Sequence, residues 1–413
     1  MREMPKMMQR SGLPHILKCH PIVKTDIVKA KGLYLFDSQG NKYLDFESGI
    51  WCASLGHGNQ RLNRAIMKQI DSVMHLGPRF TNYLAEETAT KILEHLAWKQ
   101  GKVIFLSSGS EAVEFALRIS HLVTGRLKML RFSESYLSAY GIGGGQKSNR
   151  SWTKIYLSDC LHCSQPICTE TCDNLRRIDY RNISSFILEP GCSGGQILFP
   201  PVKLVKHIEK KIRAAGGLII VDEVTTGLGR TGRWFGFEYY QIKPDVVVLG
   251  KSLGNGYPVS AVALDSTVAK EIEKQTFYYV QSHQNDPLGC SVASEVIKII
   301  EENDLVHRTY ELGGYFLVEM RRIMEKFISV KEVRGRGLML GVEISSRFRA
   351  HKNLAQKIYH EMLKKKFIIG ITSRENVLRF LPPLFTNEKH IFTMCSALGE
   401  SFDKTESLEL LSQ

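Results

Sequence analysis

Apolar positions recur along the chain at two periods. A period near 3.6 residues predicts amphipathic helices over 60–74, 84–96, 202–215, 291–303, 305–327 and 354–366. Short apolar runs predict buried strands over 102–106, 128–132, 184–188, 218–221, 246–249 and 259–264. Alternation around a polar turn at 37–41 predicts a hairpin over 33–47. Residues 330–343 read as one bent strand, and 377–384 as a short strand stopped by Pro382 and Pro383. Strand and helix alternate through the middle of the chain. That pattern predicts an α/β fold with a mostly parallel sheet and right-handed crossovers. The composition changes near 305, which sets off a separate α+β segment over 305–413.

Several predicted strands end in residues that carry chemistry. The run 218–221 ends at Asp222 and Glu223, and a glycine-rich turn over 227–232 follows. The run 246–249 ends at Gly250 and Lys251, and 184–188 ends at Glu189. Ligands of open α/β sheets bind at the carboxyl ends of the strands. A lone lysine there is usually a surface residue. A strand-end acid together with a strand-end lysine points to pyridoxal phosphate (PLP) chemistry, in which lysine forms the Schiff base and the acid holds the pyridinium nitrogen. Strand 102–106 runs through Ser107, Ser108, Gly109 and Ser110 into a helix. Such a helix start reads as a serine cap, or as a phosphate cup whose N–H groups and Ser108 and Ser110 hydroxyls face an anion. Its place upstream of the acid and lysine favours the cup. Tyr136 follows strand 128–132, where an aromatic ring can stack on a planar cofactor. Gly141, Gly143, Gly144 and Gly145 read as a flexible loop. The small residues of 48–58 predict close backbone approach, with Trp51 either core filler or pocket wall.

Composition excludes several classes. The 413 residues are 43% hydrophobic and 23% charged, with no apolar run near the length of a membrane span. The N-terminus lacks the features of a signal peptide, and nine cysteines without one predict reduced thiols in a cytoplasmic protein. The net charge of +13 falls on helix faces such as 203–213 and 364–366, with no aromatic-interleaved basic stripe, so no nucleic-acid or membrane partner is expected. Cys160, Cys163, Cys168 and Cys172 have spacings of two, four and three residues. They read as a metal or iron–sulfur pattern or as a cysteine-bearing surface loop, and no metal is assigned to them.

The combination Asp222-Glu223-Val224, Gly227, Arg230, Gly232, Asp245, Gly250 and Lys251 resembles the class III PLP-dependent aminotransferases. These are the ornithine, acetylornithine, 4-aminobutyrate and ω-amino acid transaminases, and the resemblance runs from about 32 to 384. It implies PLP-dependent transferase fold type I. A large PLP-binding domain would span 56–304, and a smaller α+β domain would combine 1–55 with 305–413. It implies that Lys251 carries the cofactor and that Asp222 pairs with its ring nitrogen. Val224 and Tyr136 would cover the two faces of the ring. Ser108, Gly109 and Ser110 would hold the phosphate, Ser282 would reach the phosphate of a neighbouring subunit, and Glu189 would stand at the entrance. Trp51 would line the substrate pocket, and Arg379 would take a substrate carboxylate. An amino donor, a 2-oxo acid acceptor and an obligate homodimer are implied as well. The same lysine and acid also serve PLP-dependent racemases, epimerases and aminomutases.

The chain departs from the family pattern at three places. Leu137 and Ser138 follow Tyr136 where the family often has His-Gly, and Thr225 stands where it often has Gln. Residues 282–287 read Ser-His-Gln-Asn-Asp-Pro where the family often has Thr-Phe-Gly-Gly-Asn-Pro. These departures leave the lysine and its acid intact and bear on the substrate.

Overall fold

The structure, a computed structural model, describes residues 15–17, 19–20, 22–144, 151–192, 194, 196–345, 353–372 and 376–410. Gly145 of the glycine loop and most of the N-terminal arm lie outside the described residues.

Three strands open the described chain: β1 (Ile27–Lys31), β2 (Tyr34–Asp37) and β3 (Lys42–Asp45). They pair antiparallel in chain order. Asp37 closes the β2–β3 turn by accepting the N–H groups of Gln39 and Asn41 at 3.0 and 2.8 Å. β1 is not legible in the sequence, because its apolar residues Ile27 and Val28 are exposed and bury no face. Helices α1 (Gln60–Ser72) and α2 (Tyr83–His95) each start at an asparagine, Asn59 and Asn82, whose side chain accepts first-turn N–H groups.

The central sheet follows. Its parts are β4 (Lys102–Leu106), α3 (Gly109–Thr124), β5 (Lys128–Phe132), β6 (Trp152–Ile155), β7 (Ile183–Leu188), α4 (Val202–Ala214), β8 (Leu218–Asp222), β9 (Val246–Leu249), β10 (Ser260–Leu264), α5 (Ser266–Lys274) and α6 (Pro287–Glu302). The strand order is β4-β10-β9-β8-β7-β5-β6. β6, β5, β7, β8 and β9 are mutually parallel, while β10 runs antiparallel to both β9 and β4. Val246, Val247, Val248 and Leu249 of β9 are all buried. At about 1.5–3 kcal/mol per side chain, their burial contributes on the order of 6–12 kcal/mol before chain entropy is counted. That anchors the strand from which Lys251 projects. α6 begins at Pro287, four residues earlier than the apolar period predicts, because proline suits a first helical position.

The last segment holds α7 (Leu305–Met324), β11 (Val330–Arg336), β12 (Met339–Ile344), α8 (Leu354–Lys364), β13 (Phe367–Ile368), β14 (Gly370–Ile371), β15 (Val377–Phe380) and α9 (Glu388–Leu410). The predicted bent strand is two strands. Gly337, at φ 54°, reverses the chain between β11 and β12, which pair antiparallel. A sheet of order β11-β12-β15-β14 results. β13 instead pairs parallel with β3, so the two ends of the chain share one sheet. Ile391, Met394, Cys395, Leu398 and Phe402 bury one stripe of α9 at helical spacing. Among the described residues, no helix is long and apolar enough to cross a membrane.

Candidate active site

Parallel register brings the strand-end residues to one edge. Leu188 of β7 pairs with Val221 of β8, and Asp222 of β8 pairs with Val248 of β9. Glu189, Asp222 and Lys251 therefore emerge side by side, with Glu189 and Asp222 only 2% and 3% exposed. Gly250 is extended, and Lys251 turns back at φ 40° into a short 3-10 turn, Lys251–Leu253. The Lys251 amine donates to Thr225 Oγ1 at 2.6 Å. Thr225 stands where the family pattern often has Gln, and it supplies that contact.

The three charges are mutually dependent. Burial, then the neighbouring Glu189 charge, pushes the Asp222 carboxyl well above the usual carboxylate range, against the Val224 N–H and the Lys251 charge. The Val224 N–H donates to Asp222 Oδ1 at 3.0 Å. Burial pulls the Lys251 ammonium below its ordinary value, while Glu189 and Asp222 oppose that shift. Two buried acids crowd one half-buried amine, so an ionised Asp222 lacks a full counter-charge. A protonated pyridine nitrogen beside Asp222 would balance it.

The neighbouring backbone forms a slot suited to a flat ring. A Cβ on Gly109 would lie 2.9 Å from Val224 Cγ1, and one on Gly250 would lie 3.3 Å from the same atom. Glycine at both positions lets the start of α3, Val224 and the lysine turn approach closely. Ser108 caps α3 by accepting the Glu111 N–H at 3.2 Å, so the serine-cap reading describes its hydroxyl. The first N–H groups of α3 remain donors for an anion. Ser110 Oγ accepts the Ala139 N–H at 2.9 Å and keeps its own proton to donate.

Tyr136 sits over the same edge, with its N–H donating to Glu189 at 3.0 Å and its ring half exposed. Leu137, the departure beside it, is buried in the apolar cluster that contains Val113 and Phe115 of α3. The glycine loop after it is pinned. Glu114 accepts the N–H groups of Ile142 and Gly143 at 2.9 and 2.7 Å. A Cβ on Gly141 would lie 2.3 Å from Glu114 Oε2, so Gly141 serves close approach here. Ser282 occupies an exposed turn ahead of α6, and no hydrogen bond joins it to the Asp222–Lys251 group among the described residues.

The opposite wall draws on both chain ends. Trp51 closes a left-handed turn, Ser48–Trp51, that Asp45 holds by accepting the N–H groups of Glu47 and Ser48 at 2.8 and 2.9 Å. It is both core and wall. Its ring packs with Ile197, Met339 and Leu381, and its centroid lies 4.3 Å from Lys251 Nζ and 4.8 Å from Arg379 Cζ. Arg379, in the middle of β15, pairs with Gly341 on one side and Gly370 on the other, which leaves room for its guanidinium.

Glu47 is the residue that sequence reasoning missed. Its Oε1 lies 3.5 Å from Arg379 Nε, longer than a good hydrogen bond. A Cβ on Gly370 would lie 1.4 Å from that oxygen, so Glu47 fills the space of the absent side chain. Burial pushes its carboxyl up to about 7, against the opposing Arg379 charge. No local sequence signal distinguishes it. Its partners, 370 and 379, lie more than 300 residues away.

Fold and site together define a PLP-dependent transferase of fold type I, with a mostly parallel sheet and the lysine and acid at its carboxyl edge. The family model for aminotransferase class-III matches residues 18–402, and the chain belongs to that family. It is a PLP-dependent aminotransferase. It is 30% identical over 382 residues to the acetylornithine aminotransferase of Methanocaldococcus jannaschii, covering 91% of this chain and 93% of that one. It is 29% identical over 391 residues to the mitochondrial alanine–glyoxylate aminotransferase 2 of Pongo abelii, covering 83% and 76%. The crystal structure of an S-selective transaminase from Bacillus megaterium superposes with a TM-score of 0.88 at 24% identity, covering 97% and 98%, and shows the same fold.

Proposed function

We propose that this aminotransferase moves an amino group from an amino acid or ω-amino compound to a 2-oxo acid, with Lys251 and Asp222 as catalytic residues. The observation that carries the assignment is the placement of a buried Asp222 and a half-buried Lys251 at the ends of adjacent parallel strands. Bound PLP supplies a ring that withdraws electrons from the carbon bearing the substrate amine. Asp222 would keep a proton on the ring nitrogen by a charge-assisted hydrogen bond. Lys251, favoured in its neutral form by burial, would hold the cofactor through its amine and would carry a proton from the substrate carbon. Thr225 orients the amine between these roles. Gly109, Ser110 and the start of α3 would hold the phosphate, Val224 and Tyr136 would cover the ring, and Glu189 positions Tyr136.

Arg379 receives a substrate carboxylate in this reading, and Trp51 forms the wall beside it. Glu47 competes for the same guanidinium. A carboxylate that binds must gain more from Arg379 than Glu47 already does, and the donor set follows from that balance.

A homodimer with a shared site fits the surface. Met67, Met74, Phe80, Tyr83, Tyr278 and Val280 are exposed, and they fall in the two stretches nearest Ser282 and α1–α2. Exposed apolar groups of this size suit an interface. Free thiols at all nine cysteines support a cytoplasmic setting.

The experiment is a half-reaction with a panel of α- and ω-amino donors, followed by conversion of the cofactor to its amine form. Donors with a carboxylate should react fastest and should slow in Arg379→Ala. If carboxylate-bearing donors react equally well in both proteins, the role of Arg379 is wrong.

A further inference from the structure

We propose that His75, His283 and Asp286 form a binding site for one divalent transition-metal ion of the zinc or cobalt class. Among the described residues, they are the one set of three histidine, cysteine or carboxylate groups whose ligand atoms lie within 4.8 Å of one another. The four cysteines of 160–172 do not form such a set. None of the three residues belongs to the Lys251–Asp222 group.

The geometry is that of ligands around a shared centre. His75 Nδ1 lies 2.9 Å from Asp286 Oδ1, and His283 Nδ1 lies 2.7 Å from Asp286 Oδ2. The ring centroids are 4.9 Å apart. A tetrahedral ion bonded at roughly 2.0–2.1 Å sets its ligand atoms roughly 3.3 Å apart. Small outward movements of two rings therefore admit the ion. Asp286 precedes α6 but does not cap it, because its carboxylate turns to the two imidazoles. The acid is nearly buried and so fixes the anchor, while the histidine side chains are 43% and 60% exposed in the single chain. A cavity of about 190 Å³ adjoins His283 and Asp286 and has room for water in the remaining coordination positions.

The donor set decides the ion. Two imidazoles and one carboxylate suit zinc, cobalt or nickel, whereas calcium and magnesium need oxygen ligands. Each neutral imidazole moves its proton to Nε2 and offers the Nδ1 lone pair. Two hydrogen bonds are thus exchanged for two metal–nitrogen bonds without net proton release. The ion would tie the segment between α1 and α2 to the start of α6, across 211 positions of sequence.

The test uses untagged full-length holoenzyme, stripped with a chelator and then dialysed against zinc. Metal content is measured by mass spectrometry and the ligand shell by zinc-edge X-ray absorption. The expected result is one ion per chain with a nitrogen and oxygen shell at roughly 2.0–2.1 Å. His283→Gln and His75→Gln should each weaken binding roughly tenfold or more and abolish the rise in thermal midpoint that zinc produces. Their circular dichroism and cofactor absorbance report that they fold. No retained zinc in the wild type, equal retention in both variants, or a sulfur shell at about 2.3 Å would each overturn the proposal. The sulfur shell would move the ion to the cysteines.

Discussion

The cofactor edge and the substrate wall of this protein are built in opposite ways. Glu189, Asp222 and Lys251 sit at the ends of β7, β8 and β9, neighbouring strands that share parallel register. Each strand is a buried apolar run, so packing energy far from the site sets where these side chains emerge. Glu47, Trp51 and Arg379 instead come from a left-handed turn near the start of the chain and a short strand near its end. Their positions depend on glycines at 341 and 370, on Asp45, and on the β3–β13 pairing that joins the two chain ends. The first arrangement tolerates changes in its surroundings. The second is adjustable, which suits a wall that selects substrates.

The largest effect should come from the cofactor edge. Lys251→Ala should lose transamination by roughly 10⁴-fold or more and lose the visible absorbance of lysine-bound cofactor, with circular dichroism unchanged. Residual turnover within tenfold of wild type would remove Lys251 from the mechanism. Asp222→Asn keeps the shape but cannot hold a proton on a ring nitrogen by charge. Its kcat should fall roughly 10²–10⁴-fold while PLP still binds, measured by turnover and by cofactor titration.

The substrate wall should break more gently. Gly370→Ala places a methyl group where Glu47 Oε1 now lies. It should destabilise the fold by about 1–3 kcal/mol in a denaturant titration and displace Glu47 from Arg379. Unchanged stability with unchanged donor preference would show that Glu47 does not depend on this space.

Glu47→Gln tests the same contact through pH. Burial, with the Asp45 charge adding to it, raises the Glu47 carboxyl from 4.5 to about 7, and Arg379 and Lys251 oppose that shift. The folded protein therefore holds a proton that the unfolded chain has released between these values. The associated stability is full below the unfolded value and is lost as pH rises through about 7. A shift of this size corresponds to roughly 3 kcal/mol. The stability of Glu47→Gln relative to wild type should therefore rise between pH 5 and pH 8, as read from melting curves. Glu223, raised to about 7 by burial against hydrogen bonds from Thr226, Gly236 and Phe237, remains as an internal control because both proteins contain it. The smallest effect should come from Glu114→Gln. It keeps one acceptor for the loop N–H groups at 142 and 143 and should change KM by only a few-fold.

Two expectations about glycine and proline show where reading the sequence reaches its limit. Glycines at 141–144 signal an unusual backbone, but the same signal fits a flexible loop and a loop wrapped around Glu114. Only the contact with Glu114 distinguishes the two. Proline at 287 was a helix start in plain view, masked by the polar residues ahead of it. The hairpin over 330–344 is hidden for a related reason: Gly335 and Gly337 fall between two stretches that both read as strand, and period alone does not reveal a reversal.

The sequence by itself determined six of the seven strands of the central sheet, the strand-end positions of its acids and lysine, and the pattern that belongs to a class III aminotransferase, while β6 was not legible. Those features are local. An apolar run buries itself, and the next residue emerges at the sheet edge. Tertiary structure alone decided that Trp51 is both core and wall, that Glu47 shares space with Gly370 beside Arg379, and that His75 meets His283 and Asp286. Those contacts join positions about 150 to more than 300 residues apart. No period or spacing along one chain records which distant side chains the packing will bring together.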